Sequence, residues 1–168
     1  MTHASKVLIA HPDGARSEAL RSHAARAGYA AAAVGTAREA VKALRARRSD
    51  VIIASAAMRD LEALQTRPPE TGLILLVGDK GAEAPGLMRG AYACLPESTP
   101  WPAMVATIRA AVEHQAMVRS FRQFQTRAWT LFDSIGDAVF LYDLEGEILE
   151  ANEVMGERLG YRREELMG

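Results

Sequence analysis

Short apolar runs alternate with helix-patterned stretches over the first hundred residues, and this alternation limits the fold more than any other feature. "KVLIA" (6–10), "AAAAV" (30–34), "DVIIA" (50–54), "LILLV" (73–77) and "YACL" (92–95) are the strand candidates. Apolar runs without polar interruption suit strands covered on both faces; the alanine-rich second run is a weak one. Between them, "ARSEALRSHAARAGY" sets Ala15, Leu20, Ala24 and Ala27 at helical spacing, with Gly28 as a stop. "TAREAVKALRARR" aligns Ala37, Val41 and Leu44 behind Thr36, an N-cap residue. "DLEALQ" reads as a short helix before the breaker "TRPPETG", while the glycines and proline of "GDKGAEAPGLMRGA" leave room for a short helix at most.

Strand and helix in alternation imply an α/β fold, a parallel sheet with helices on both faces. Right-handed crossovers leave few topologies, and a flavodoxin-like, doubly wound five-stranded sheet is the simplest. Val7, Ile9, Val51, Ile53, Ile74 and Leu76 are its expected core. Ligands of such sheets sit beyond the carboxyl ends of the strands, where this chain has Ser55 followed by two alanines. The 168 residues, 49% hydrophobic and 24% charged, suit one such domain plus something more. A net charge of −1 gives no footprint for nucleic acid, and no apolar run reaches the roughly 18 residues of a membrane span. The single cysteine, Cys94, excludes an intrachain disulfide and fits a reducing, cytoplasmic setting; it reads as a small core residue rather than a redox sensor.

From Trp101 to Ile135 there is no glycine, and the one proline, Pro102, sits in the first turn where a helix tolerates it. A helix of this length runs about 50 Å. Val105, Ile108 and Val112 form one seam; Met117, Phe121, Phe124, Ala128, Leu131 and Ile135, alternately four and three apart, form a second, out of phase with the first. Such a heptad seam needs a partner, and a second copy of the chain is the simplest; the bland reading is a helix folded back on its own chain. Arg119, Arg122 and Arg127 read as solvated flanks.

After the helix, "AVFLY" and "EILEA" flank "DLEG", where Gly146 can take the positive φ of a hairpin turn. Asn152 is placed to cap "EVMGERL", Gly160 to end that helix, and "RREEL" adds one more turn. Two strands are marginal alone, so the segment reads as the opening of a second domain.

Residues 1 to about 115 resemble the receiver domain of two-component response regulators. The resemblance rests on "KVLIAHPDG", "SDVIIASAAMR" and "GAYACLPES", with Met58 at the family's Met-Pro pair and Gly90 and Ala91 at its Gly-Ala pair. It implies a Mg²⁺ site, an aspartate that accepts phosphoryl, a hydroxyl residue and a lysine. The acidic pair falls on His11 and Pro12, with Asp13 next; the phosphoacceptor falls on Ser55, the hydroxyl residue on Gly78, the lysine on Glu97 and its proline neighbour on Ser98. Mg²⁺ loses most of its oxygen ligands. Serine lacks the accepting carboxylate, no general base is evident beside it, and Glu97 sets a negative charge against any phosphoryl group. These departures point to a phosphorylation-incompetent pseudo-receiver with no metal and no cofactor. Weaker alternatives are a metal site of Asp13 with Asp79, Ser55 as an unconventional phosphosite, and His11 as a ligand or proton acceptor.

Residues 128–168 resemble the start of a PAS domain in their hairpin, Asn cap, Gly-Tyr and Glu-Glu-Leu-Gly sequence. The expected organisation is a receiver-like domain at 1–114, a signalling coiled-coil helix at 115–134 and an N-terminal PAS portion at 135–168. The expected function is non-catalytic: dimerisation or docking of a partner signalling protein, coupled by the helix to a PAS sensor in a bacterial histidine kinase or cyclic-di-GMP enzyme. The alternative is a divergent receiver that still accepts phosphoryl from a histidine kinase. No G-x-G-x-x-G or P-loop lysine supports a nucleotide binder.

Overall fold

The computed structural model describes residues 4–78 and 90–167. These divide into two compact units, residues 1–118 and 119–168. The first unit is built from β1 (Lys6–Ala10), α1 (Gly14–Arg26), β2 (Ala30–Val34), α2 (Ala37–Ala46), β3 (Val51–Ser55), a 3₁₀ turn (Leu61–Thr66), β4 (Gly72–Val77) and β5 (Ala93–Pro96). It ends in the first half of a long helix, α3 (Trp101–Ser134). The strands form one sheet in the order β2-β1-β3-β4-β5, every pair parallel. This is the flavodoxin-like arrangement that the alternation implies.

Period-2 geometry splits the strand residues between two cores. Leu8, Ile52, Ala54, Leu73 and Leu75 pack under α2 and the 3₁₀ turn. Val7, Ile9, Val51, Ile53, Ile74 and Leu76, the expected core, pack under α1 and α3, all at most 1% exposed. Each buried aliphatic side chain contributes about 1.5–3 kcal/mol relative to exposure. The alanine-rich β2 forms despite its poor propensity because it pairs with β1 along its whole length, a tertiary constraint that outweighs local preference.

Local signals hold at the helix ends. Thr36 Oγ1 accepts from the Glu39 backbone N–H, and Gly28 takes φ +89° behind α1. Four expectations need correction. On α1 the buried stripe is Ser17, Leu20 and Ala24; Ala15 and Ala27 face solvent, because four alanines and a leucine leave the apolar phase ambiguous. On α3 the sheet-facing seam is Met104, Ile108, Ala111 and Gln115; Val105 and Val112 only flank it. The flexible Gln115 packs against β4, where a Cβ on Gly72 would stand 3.2 Å from Gln115 Cγ. Arg119 is half-buried rather than a solvated flank. Cys94 is exposed: β5 is an edge strand whose side chains alternate between half-buried and exposed, and Cys94 falls on the outward alternate. The short helix and Asp79 expected within 79–89 lie outside the described residues.

The second unit contains the rest of α3, the antiparallel hairpin β6 (Phe140–Tyr142) and β7 (Ile148–Ala151), α4 (Glu153–Leu159) and α5 (Arg163–Leu166). Gly146 turns the hairpin at φ +91°, and Asp143 Oδ1 accepts from the backbone N–H groups of Glu145 and Glu147. Gly160 ends α4 in the left-handed region. Gly156 is required by packing: a Cβ there would lie 2.8 Å from the Tyr161 carbonyl oxygen. Asn152 does more than cap α4. Fully buried, its Oδ1 accepts from Met155 and Val139 N–H, while Nδ2 donates to the Asp137 carbonyl at 2.8 Å and reaches those of Phe132 and Ile135 at 3.4 Å. Arg163 lies 4.2 Å over the Trp129 ring and donates to Glu150 at 2.7 Å. No described helix is long and apolar enough to cross a membrane.

Candidate functional site

The carboxyl ends of four parallel strands meet at one edge of the sheet. His11 follows β1, Ser55 ends β3, Gly78 follows β4 and Glu97 follows β5. Strand register sets these residues side by side: Ala10 pairs with Ala54, Ser55 with Leu76 and Val77 with Pro96. The sequence-predicted site residues are thus gathered here, and three of them bond to one another.

Ser55 is completely buried. Its Oγ donates to Glu97 Oε1 at 2.7 Å and accepts the Ala57 N–H at 3.2 Å. His11 is 7% exposed, with Nε2 3.3 Å from Glu97 Oε1 and 3.4 Å from Oε2. Its Nδ1 accepts the Asp13 backbone N–H at 3.0 Å, so Nε2 carries the ring proton and donates to the carboxylate. The serine bond has the length of a strong O–H···O⁻ bond; the histidine bond is longer than the usual N–H···O and weaker. Glu97 N–H donates to the Val77 carbonyl at 2.9 Å, and the Arg16 guanidinium donates to the Glu97 carbonyl. One glutamate thereby joins β1, β3, β4 and α1 just ahead of α3.

This corrects the expectation that no base stands beside Ser55: Glu97, 42 residues away in sequence, reaches its hydroxyl. With Ser55 at 0% exposure and its hydroxyl occupied by Glu97, the contact closes the serine off and is structural. The other expected residues take lesser parts. Asp13 caps α1, its carboxylate accepting from Ala15 and Arg16 N–H; those bonds, Arg16 first, hold its carboxyl below the usual range. Pro12 is exposed. Gly78 adds no side chain, and a Cβ there would meet nothing within 4 Å. Met58 is buried among the α2-side core. Among the described residues no group of three or more His, Cys, Asp or Glu is arranged to hold a metal ion.

Sequence reasoning named Glu97 as a lost lysine and did not see its new bonds. The available signal was positional: His, Ser and Glu at the carboxyl ends of β1, β3 and β5 fall within side-chain reach across the sheet's end once the strand order is known. Arg16, four residues before the buried Leu20 on α1, carried no signal of its bond to Glu97.

The expected heptad seam lies on α3 except for Ile135, which follows the helix's last residue. Met117, Phe121, Phe124, Leu131 and Ile135 are 43–72% exposed, and Ala128 is exposed as well. Beside them in the second unit, Ala128, Trp129, Phe132, Val139, Leu141 and Glu150 line an almost wholly apolar cleft of about 360 Å³.

Comparison with known proteins agrees with this division. Residues 129–168 match the family model of the PAS fold. No curated protein sequence matches the chain. Among solved structures, the signal receiver domain of an HD domain-containing protein from Pseudomonas fluorescens Pf-5 is 20% identical, with a TM-score of 0.60, over 68% of this chain and 99% of that one. A CheY-like response regulator receiver domain from Methanospirillum hungatei JF-1 is 17% identical, TM-score 0.61, over 68% and 98%. NtrX from Brucella abortus in complex with ADP is 16% identical, TM-score 0.67, over 84% of this chain and 32% of its own. The chain thus spans about a third of the length of that NtrX chain. The first unit has the fold of receiver domains, and the PAS match follows it along the same chain.

Proposed function

We infer that this chain is a non-catalytic signal-transduction module: a receiver-fold domain that does not accept phosphoryl, coupled by α3 to a PAS sensor. The observation that carries the reading is the Ser55–Glu97 bond at 2.7 Å. It sets a carboxylate at the strand ends where the receiver family uses a cation, against a serine where that family uses the accepting aspartate. With His11 and Pro12 in place of the acidic pair and Ser55 in place of the aspartate, the described strand ends lack the carboxylates with which the family accepts phosphoryl and holds Mg²⁺. The domain would act through its surfaces in dimerisation or docking of a partner signalling protein. The larger protein would carry an output such as a histidine kinase or a cyclic-di-GMP enzyme, and a cytoplasmic setting follows from the same reading.

The exposed heptad seam supports assembly through α3. Two phenylalanines at 62% and 70% exposure and a leucine at 68% are an unusual solvent face, and burial between two copies would remove them from water. The bland alternative, a helix folded onto its own chain, leaves these residues without their role.

Two measurements test the reading. Beryllofluoride with Mg²⁺ mimics an acyl phosphate; no amide shift around Ser55 and Glu97 is expected, and shifts localised there would restore the phosphorylatable alternative. Light scattering across a dilution series is expected to give a dimer for the full chain and a monomer for Phe121→Glu or Phe124→Glu. An unchanged mass in both variants would remove the helix from assembly.

A further inference from the structure

The bonds around Glu97 have a direction that matters. Among the described residues, both side chains bonded to its carboxylate are donors, and each donor is fixed by another contact. Ser55 Oγ takes the Ala57 N–H, which leaves its own proton for Glu97. His11 Nδ1 takes the Asp13 N–H, which leaves Nε2–H for Glu97. Both donors are more than nine-tenths buried, at 0% and 7% exposure, so water is a poor substitute partner. No lysine or arginine side chain forms an ion pair with this carboxylate among the described residues; the Arg16 guanidinium instead grips the Glu97 carbonyl and adds positive charge nearby. The Glu97 side chain keeps 30% of its surface open to solvent.

We propose that the strand ends form a preorganised carboxylate site, made by Ser55 Oγ–H and His11 Nε2–H, whose resident ligand is the protein's own Glu97 side chain. Two buried donors left without an acceptor are costly, so the cradle wants an anion whether or not the anion is tethered. A carboxylate is the matching class: two oxygens in one plane accept from two fixed donors, with Oε1 on Ser55 and both oxygens near His11. The inference goes beyond the module reading and does not rest on dimerisation. It shares the claim that no phosphoryl acceptor operates here, which the beryllofluoride measurement tests separately without any Glu97 variant.

Shortening the tether is the test. Glu97→Ala removes Cγ and the carboxylate, the same non-hydrogen atoms that acetate contains. Acetate is therefore expected to raise the thermal midpoint of the full-chain variant saturably, by about 3 °C at ten times the half-saturating concentration, with half-saturation on the order of 10 mM. Chloride at matched ionic strength should not do so, and propionate should act less than acetate. Wild type and Glu97→Gln, whose side chains fill the cradle, should not respond, and Ser55→Ala combined with Glu97→Ala should lose the response. An acetate effect that is absent from Glu97→Ala, equal in Glu97→Gln or retained without Ser55 overturns the proposal. If Glu97→Ala does not fold, the wild-type chain decides: a slowly exchanging Ser55 hydroxyl proton, far downfield and shifted upfield in Glu97→Gln, is expected in its NMR spectrum, and its absence overturns the proposal.

Discussion

The two units are each tied together by one polar residue, and the two ties are built on opposite terms. Glu97 in the first unit is charged, partly open to solvent and bonded to three strand ends and α1. Asn152 in the second unit is neutral, fully buried and bonded to five backbone groups. The difference follows from what surrounds them. The receiver-fold unit has two apolar layers to carry its stability, so its polar tie can sit at the rim and organise the strand ends rather than hold the sheet. The second unit has a three-residue and a four-residue strand and two short helices, with exposed Phe140, Leu141 and Tyr142. There the polar tie stands in for a core.

The largest expected effect tests that contrast. Asn152→Ala removes the cap of α4 and orphans the Val139 N–H at the start of the hairpin. A cap alone is worth about 1 kcal/mol, and a buried unsatisfied group adds roughly 1–3, so about 3 kcal/mol is expected. Hydrogen exchange should show the loss confined to residues 119–168, with the β1–β5 core unchanged. Equal loosening of both units would break the comparison. Asn152→Asp is a sharper form, because it keeps the accepting oxygen but turns a carboxylate oxygen toward the Asp137 carbonyl.

How much of this was legible in the sequence differs between the ties. Asn152 could be read as a cap because a cap depends on the next three residues alone. Its donation to the Asp137 carbonyl could not, since that needs the path of the chain leaving α3. The strands were legible because buried parallel strands are continuous apolar runs, and Val51, Ile52 and Ile53 admit few other roles. Helix faces were less so: Val105 and Val112 fit helical spacing as well as Met104 and Ala111 do, and only the sheet decides which pair it covers. Cys94 was misplaced because a short apolar run does not show whether its strand is central or at an edge. At the site, the identities of the residues at the strand ends were legible by position. The bond between Ser55 and Glu97 was not, because it depends on two side chains brought together by strand order.

Ser55→Asp probes the charged tie and should have the intermediate effect. It installs a second carboxylate beside Glu97, and two carboxylates at hydrogen-bond distance do not both ionise readily. At neutral pH the variant should be less stable by about 1–2 kcal/mol. One carboxyl of the pair has its folded-state value raised, so the folded form holds a proton that the unfolded chain has released. Stability relative to wild type therefore recovers as pH falls from 7 toward about 5, which denaturant unfolding at a series of pH values would record. A deficit that stays constant with pH would mean that the aspartate had turned away from Glu97.

The smallest effect belongs to a third tie, half-buried like Glu97. Asp60, just ahead of the 3₁₀ turn, accepts from the backbone N–H groups of Ala37 and Arg38 at 3.1 and 2.9 Å, across 23 and 22 residues. These bonds, Arg38 first, hold its carboxyl below the usual range. A depressed folded-state value means that the unfolded chain takes up the proton first as pH falls. The contribution is complete above the ordinary carboxylate range, near pH 4, and is lost as pH drops through the lower folded-state value. Asp60→Asn keeps an accepting oxygen at the start of α2 but has no charge to titrate. It should leave the neutral-pH thermal midpoint within a degree or two and flatten the acid limb of the stability curve. A loss at pH 7 approaching that of Asn152→Ala would show that exposure is a poor guide to what a polar tie is worth, and that reach across the chain matters more.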